Sequence, residues 1–235
     1  MNKFNRLPGN AAMFATLALL AGTAPAHADD LYSNSVRLGA YFVFYHVKAD
    51  DITGPYVPPG VNIKVKDLQT LYAAYVRRLS SRFDLEFAFG LPPVTKTYGR
   101  GPATLGSVPY NGVEISTARW FAPTVLFNYK FLSENSAFRP YIGVGFNYTN
   151  FYDRNSTAGG DAASGGPTKL SLTPSWGPAA TVGLSYRIAA HWSVYASYSL
   201  SRVKTKLSAD TAGVIRTTRI SFGPQALVVS AGYSF

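Results

Sequence analysis

The chain has no cysteine. That excludes a disulfide framework, a thiolate metal site and a thiol nucleophile. Histidine is scarce, 3 in 235 residues, and one of these, His27, lies in the N-terminal leader described below. His46 and His191 remain, too few for most histidine-based chemistry. Nothing after Ala28 contains the run of about 18 apolar residues that a transmembrane helix requires. Lysine and arginine outnumber aspartate and glutamate by 22 to 12. They are scattered, without the cluster or helix stripe of a nucleic-acid binder, so no nucleic-acid partner is expected. A diffuse positive surface suits acidic head groups at an outer-membrane surface.

The first 28 residues read as an export signal. Lys3 and Arg6 form a positive n-region, Ala11 to Leu20 a short apolar h-region, and Ala26-His27-Ala28 a small-x-small cleavage site. The apolar run is too short to span a bilayer. Residues 1–28 are therefore expected to be removed. The remaining domain, 29–235, has 207 residues (235 less 28), and its net charge falls from +10 to about +8 with Lys3 and Arg6 gone.

What remains is rich in aromatics, with 16 Tyr, 15 Phe and 3 Trp set beside Gly, Ser and Thr in strand-like stretches. Period-two alternation marks eight segments, roughly 35–47, 69–79, 83–91, 119–131, 139–151, 176–188, 192–205 and 217–235. About 9 to 11 tilted residues cross a bilayer, so most of these suffice. The connections alternate in length. Residues 80–82, 132–138 and 189–191 are short, whereas 48–68, 92–118, 152–175 and 206–216 are long and rich in Gly, Pro, Ser, Thr and Asp. Short periplasmic turns and long extracellular loops are the signature of an outer-membrane barrel. Soluble sandwich strands recur every 8 to 12 residues or so; here the repeat is about 26. The expected fold is all-β, an eight-stranded antiparallel transmembrane β-barrel in the bacterial outer membrane.

Parity assigns the faces. Trp192, Val194, Ala196, Tyr198 and Leu200 oppose Ser193, Tyr195, Ser197, Ser199 and Ser201; Phe83, Leu85, Phe87 and Phe89 oppose Asp84, Glu86, Ala88 and Gly90. A charge facing lipid at the midplane would cost roughly 2–4 kcal/mol, so Glu86 points inward. Residues 69–79 do not phase. The lumen then has two halves. Toward the short turns it holds Arg37, Asp84, Glu86, Lys130, Arg139 and Arg187, a polar floor of both signs that must pair in so narrow a bore. Toward the long loops it holds Tyr41, Val43, Tyr45, Val47, Trp120, Ala122, Phe151, Ile220 and Phe222, an apolar set suited to a small hydrophobic ligand. Val61, Ile63 and Val65 alternate with Asn62, Lys64 and Lys66, as if the first long loop extended the wall.

These residues resemble a family. Ala122-Pro-Thr-Val-Leu-Phe-Asn-Tyr-Lys-Phe131, Arg139-Pro-Tyr-Ile-Gly-Val-Gly-Phe-Asn-Tyr-Thr-Asn-Phe151, Leu172-Thr-Pro-Ser-Trp-Gly177 and Gly232-Tyr-Ser-Phe235 are similar, in order and spacing, to the OmpW family of small outer-membrane barrels. The resemblance spans the whole mature chain. It implies passive entry of small hydrophobic molecules from outside and sideways escape through the barrel wall. It also implies a gate role for Trp176, although parity from Thr181 turns Trp176 outward unless Pro178 introduces a bulge. Pro92 and Pro93 cannot donate ladder hydrogen bonds and are candidates for a gap in the wall. The C-terminal strand ending at Phe235 resembles the assembly signal read by the barrel-insertion machinery.

The function expected is thus a passive channel for small hydrophobic solutes, with outer-membrane lipids around it and no cofactor or metal. A structural, adhesive or receptor barrel acting through its loops is the alternative. An enzyme is not expected, because His46 and His191 fall on opposite sides of the membrane and no inward Ser–His–acid set occurs.

Overall fold

The chain's alternating faces find their ladder partners by closing into a ring. The structure is a computed structural model that describes residues 33–105 and 107–235. The leader expected over residues 1–28 lies outside the described residues. Asn34–Tyr45, the first barrel strand, pairs with Leu68–Arg78, the second, and with Pro224–Ser234, the eighth. Between them run Phe83–Gly90, Thr124–Lys130, Phe138–Ser156, Ser175–Arg187 and Trp192–Ser201, the third to seventh. Pairing of the fourth strand with both the third and the fifth completes a closed antiparallel ring of eight. Closure removes the exposed edges that would otherwise template aggregation.

The second strand defeats period-two reading because both its faces are apolar. Its register against the first strand turns Tyr72, Ala74 and Val76 inward and leaves Leu71 and Tyr75 outside. Elsewhere the outward rows are the bulky apolar ones, with Leu38, Val144 and Phe146 about two-thirds exposed (67%, 65% and 70%). At the short-turn end Phe83 stacks on Phe127 at 5.1 Å and Trp192 meets Tyr233 edge-on at 5.1 Å, an aromatic girdle of the kind found at a membrane interface.

Three of the expected long strands prove to be pairs. Segments 119–131, 192–205 and 217–235 are interrupted at 122–123, 202–203 and 222–223. Pro123 and Pro224 remove ladder donors there, and Gly223 adopts φ +49°. The expected loops also carry strands. Every barrel strand except the 19-residue fifth breaks at about one height. Above that height, besides the short ladder of Thr104–Leu105 on Val108–Pro109, the chain forms two small sheets. One joins Asn62–Val65, Val94–Arg100 and Glu114–Phe121 to the top of the fifth strand; the other orders Thr168–Leu172, Lys204–Thr211, Val214–Ser221 and Lys48–Ala49. Val61, Ile63 and Val65 are buried and do raise the wall.

Gly232 faces the lumen where two large side chains pass. A Cβ there would stand 2.7 Å from Tyr195 Cε2 and 3.2 Å from Arg37 Cγ. Gly232→Val is expected to destabilise the barrel by about 1–3 kcal/mol through overpacking, measured as a lower urea midpoint in lipid vesicles.

Candidate functional site

The lower lumen is filled by charge that the fold has paired. Arg37, from the first strand, is 2% exposed and donates from Nη1 to Glu86 Oε2 of the third strand at 2.9 Å. The Tyr72 hydroxyl donates to Glu86 Oε1 at 2.5 Å, and Asn128 Nδ2 donates to Glu86 Oε2 at 2.7 Å. Glu86 thus holds three donors from the first, second and fourth strands. The guanidinium also lies 3.8 Å from the centre of the Tyr195 ring, a cation–π contact from the seventh strand. Below, Lys130 Nζ sits 2.5 Å from Asp84 Oδ2, an ion pair held by attraction more than by an aligned hydrogen bond. This is a plug stitched across the ring.

Two of the expected floor residues stand elsewhere. Arg187 is exposed and donates to the carbonyls of Glu134 and Asn135 in a short turn. It lies past the last inward position of its strand, so parity overextends there. Arg139 lies at the short-turn mouth and donates to the Ser81 carbonyl at 2.6 Å, beside an ion pair between Arg78 and Glu134. Tyr72, Asn128 and Tyr195 belong to the floor and were not singled out from sequence. Asn128 and Tyr195 share parity with residues already turned inward; Tyr72 carried no signal, because its strand does not alternate.

The upper lumen changes character within two turns of the pleat. Val43, Ile63, Val65, Trp120, Phe151, Val203, Ile220 and Phe222 form one buried apolar cluster, with Tyr41, Tyr45, Val47 and Ala122 packed against it. The rings of Phe151 and Phe222 stack at 5.6 Å, and Tyr45 meets Phe222 edge-on at 5.9 Å. These residues line a cavity that reaches up among Thr97, Ser116, Leu170 and Leu207 of the long connections. Polar side chains stand among the apolar ones, Thr97, Ser116, Thr117 and Ser201 with them, and Trp120 Nε1 donates to Thr95 Oγ1 at 2.8 Å. A second cavity continues down to Tyr72 and Glu86, lined by Ala88, Ala179, Ala226, Ser197 and Ser199.

The ladder of the wall is interrupted beside Pro92 and Pro93, as it is at the other strand breaks. Register between the third and fourth strands runs to Ala88 opposite Thr124 and resumes beyond the prolines at Val94 opposite Arg119. Phe89 stands in that interval, partly exposed on the outside and lining the lower cavity from within, with its ring 6.3 Å from that of Phe121. Trp176 does not line the lumen. The register Tyr148 opposite Trp176, Phe146 opposite Pro178, continues without a bulge, so Pro178 does not turn it in. Trp176 is 76% exposed on the outer wall and its ring packs on Tyr148 at 4.5 Å.

A closed ring of eight strands, bulky apolar rows outside, an interfacial aromatic girdle and a charged plug inside together define a small barrel of the bacterial outer membrane. A family model described as the OmpW family matches residues 102–235. The chain belongs to that family. It is 28% identical over 221 residues to outer membrane protein W of Vibrio cholerae, an alignment covering 94% of this chain and 96% of the relative. Among solved structures it is similar to OprG from Pseudomonas aeruginosa, with a TM-score of 0.77 at 21% identity over 86% of this chain and 95% of the other. It is also similar to AlkL determined in lipid bilayers, with a TM-score of 0.64 at 21% identity over 91% and 95%. These structural likenesses speak to the fold.

Proposed function

We propose that the protein is a passive channel for small hydrophobic molecules. One observation carries this reading: a mostly apolar cavity among the long connections leads down, through a second cavity, to a plug of paired charge. A hydrophobic solute gains about 25 cal/mol for each Å² it removes from water, so it partitions into such a cavity. The Arg37–Glu86 pair and its donors oppose straight passage, because displacing either ion leaves the other buried and unpaired. Sideways escape is supported by the break in the ladder at Pro92 and Pro93, next to Phe89, which is partly exposed and also borders the lower cavity.

Purified protein in liposomes should speed uptake of a small hydrophobic solute well above that of empty vesicles. Equal rates would overturn the reading. Because Trp176 faces lipid, Trp176→Ala is expected to change uptake less than about twofold. Trp120→Ala, which enlarges the cavity wall, should alter the rate severalfold. The same liposome assay measures both.

A further inference from the structure

We propose that the outer wall carries a binding site for a phosphorylated acyl lipid of the outer leaflet, headed by Arg202 and Lys204. The site is the groove where the wall of the sixth strand is thin. Ladder register places Val144, Ala180 and Leu200 in one outward row, and Phe146 opposite Pro178 in the row above. Pro178 accepts a hydrogen bond from the Arg202 backbone, which sets Arg202 at the other end of that row. Small residues thus lie between large ones on both flanks. The resulting outward groove is lined by Val144, Phe146, Pro178, Ala180, Leu200 and, at its head, Arg202. Its body is apolar and suits an acyl chain.

The head of the groove stands at the height of lipid phosphates. From the lower girdle at Trp192 to Arg202 is ten residues along one strand. At about 3.3 Å per residue and a tilt near 40°, that is about 25 Å, the thickness of the apolar band of such barrels. Arg202 therefore meets the membrane where hydrocarbon ends. Above it the outward positions continue as Lys204 and Lys206, and their side chains make no ion pair or hydrogen bond among the described residues. Lys206 is the register partner of Arg219, and Lys204 shares a row with Ser221 and Lys48. Like charges facing one another across a ladder repel; the nearest acid in these rows is Asp50, whose backbone donates to Arg219. Phosphate between the cations removes the repulsion, and the Arg202 fork can hold it bidentately.

The test is native mass spectrometry of the folded protein in detergent with added lipid A, in its diphosphoryl form and after dephosphorylation. The wild type should retain one diphosphoryl lipid A and little of the dephosphorylated form. Arg202→Gln with Lys204→Gln should reduce retention about tenfold or more, and Ala180→Phe, which fills the groove but spares the charges, should reduce it too. Lys96→Gln, whose parent lysine is already paired with Glu114, should not. Folding of each variant is read from its heat-modifiable gel mobility. Equal retention of both lipid forms, no retention, or retention indifferent to both groove and charge variants would overturn the site, whatever the channel assay gives.

Discussion

Glu86→Leu is expected to cost the barrel about 3–5 kcal/mol, the usual penalty for removing one partner of a buried ion pair. The carboxylate accepts from Arg37, Tyr72 and Asn128. Leucine fills the space and satisfies none of them. Arg37 is 2% exposed and is enclosed between Glu86 and the Tyr195 ring, so its guanidinium cannot swing into bulk water. The charge itself is the problem, which makes a further expectation: Arg37→Met combined with Glu86→Leu should recover much of the loss, since a matched apolar pair no longer buries an ion. Asp84→Asn should cost less, because its partner Lys130 keeps a side-chain exposure of 16% and can reach water at the short-turn mouth. Urea unfolding in lipid vesicles ranks the four proteins. If the double variant is no more stable than Glu86→Leu alone, the floor is held by something other than this pair.

How much of this was legible in the sequence depended on alternation. Where one face was bulky and the other small or polar, as in Trp192–Leu200 or Phe83–Gly90, parity placed each residue as the structure has it, because a strand between lipid and a polar lumen has only one tolerable phase. Thus Arg37, Asp84 and Glu86 were expected inside and are buried there. Parity failed where the environments were alike. Tyr72 hid in a strand apolar on both faces, and only the register against Arg37's strand turns it toward Glu86. It failed again at a strand's last residue, where the exposed Arg187 reaches to the carbonyls of a neighbouring turn. It could not see the line of breaks across seven strands, because two short strands in phase read as one long one. The resemblance assigned Trp176 a gate, while its parity with Ala180 and Val182 pointed outward. Backbone register agrees with parity.

Phe222→Glu is expected to lower hydrophobic solute uptake at least tenfold, equivalent to about 1.4 kcal/mol on the path, with the barrel still folded. Phe222 touches Phe151 from the fifth strand and Tyr45 from the first, so it lies across the width of the cavity. A carboxylate there holds water, and a passing hydrophobe must either displace that water or leave its own apolar surface against a charge; both oppose transfer. Folding is spared because the ladder contact at this position, Phe222 N–H to the Val203 carbonyl at 2.9 Å, belongs to the backbone, and the paired strands below it are left untouched. Phe222→Leu keeps the apolar lining and should retain more than half of the wild-type rate. The two substitutions separate polarity from shape. Should Phe222→Glu fold normally and carry solute at the wild-type rate, the upper lumen would not be the route, and the apolar cluster would serve only to hold the two small sheets together above the membrane.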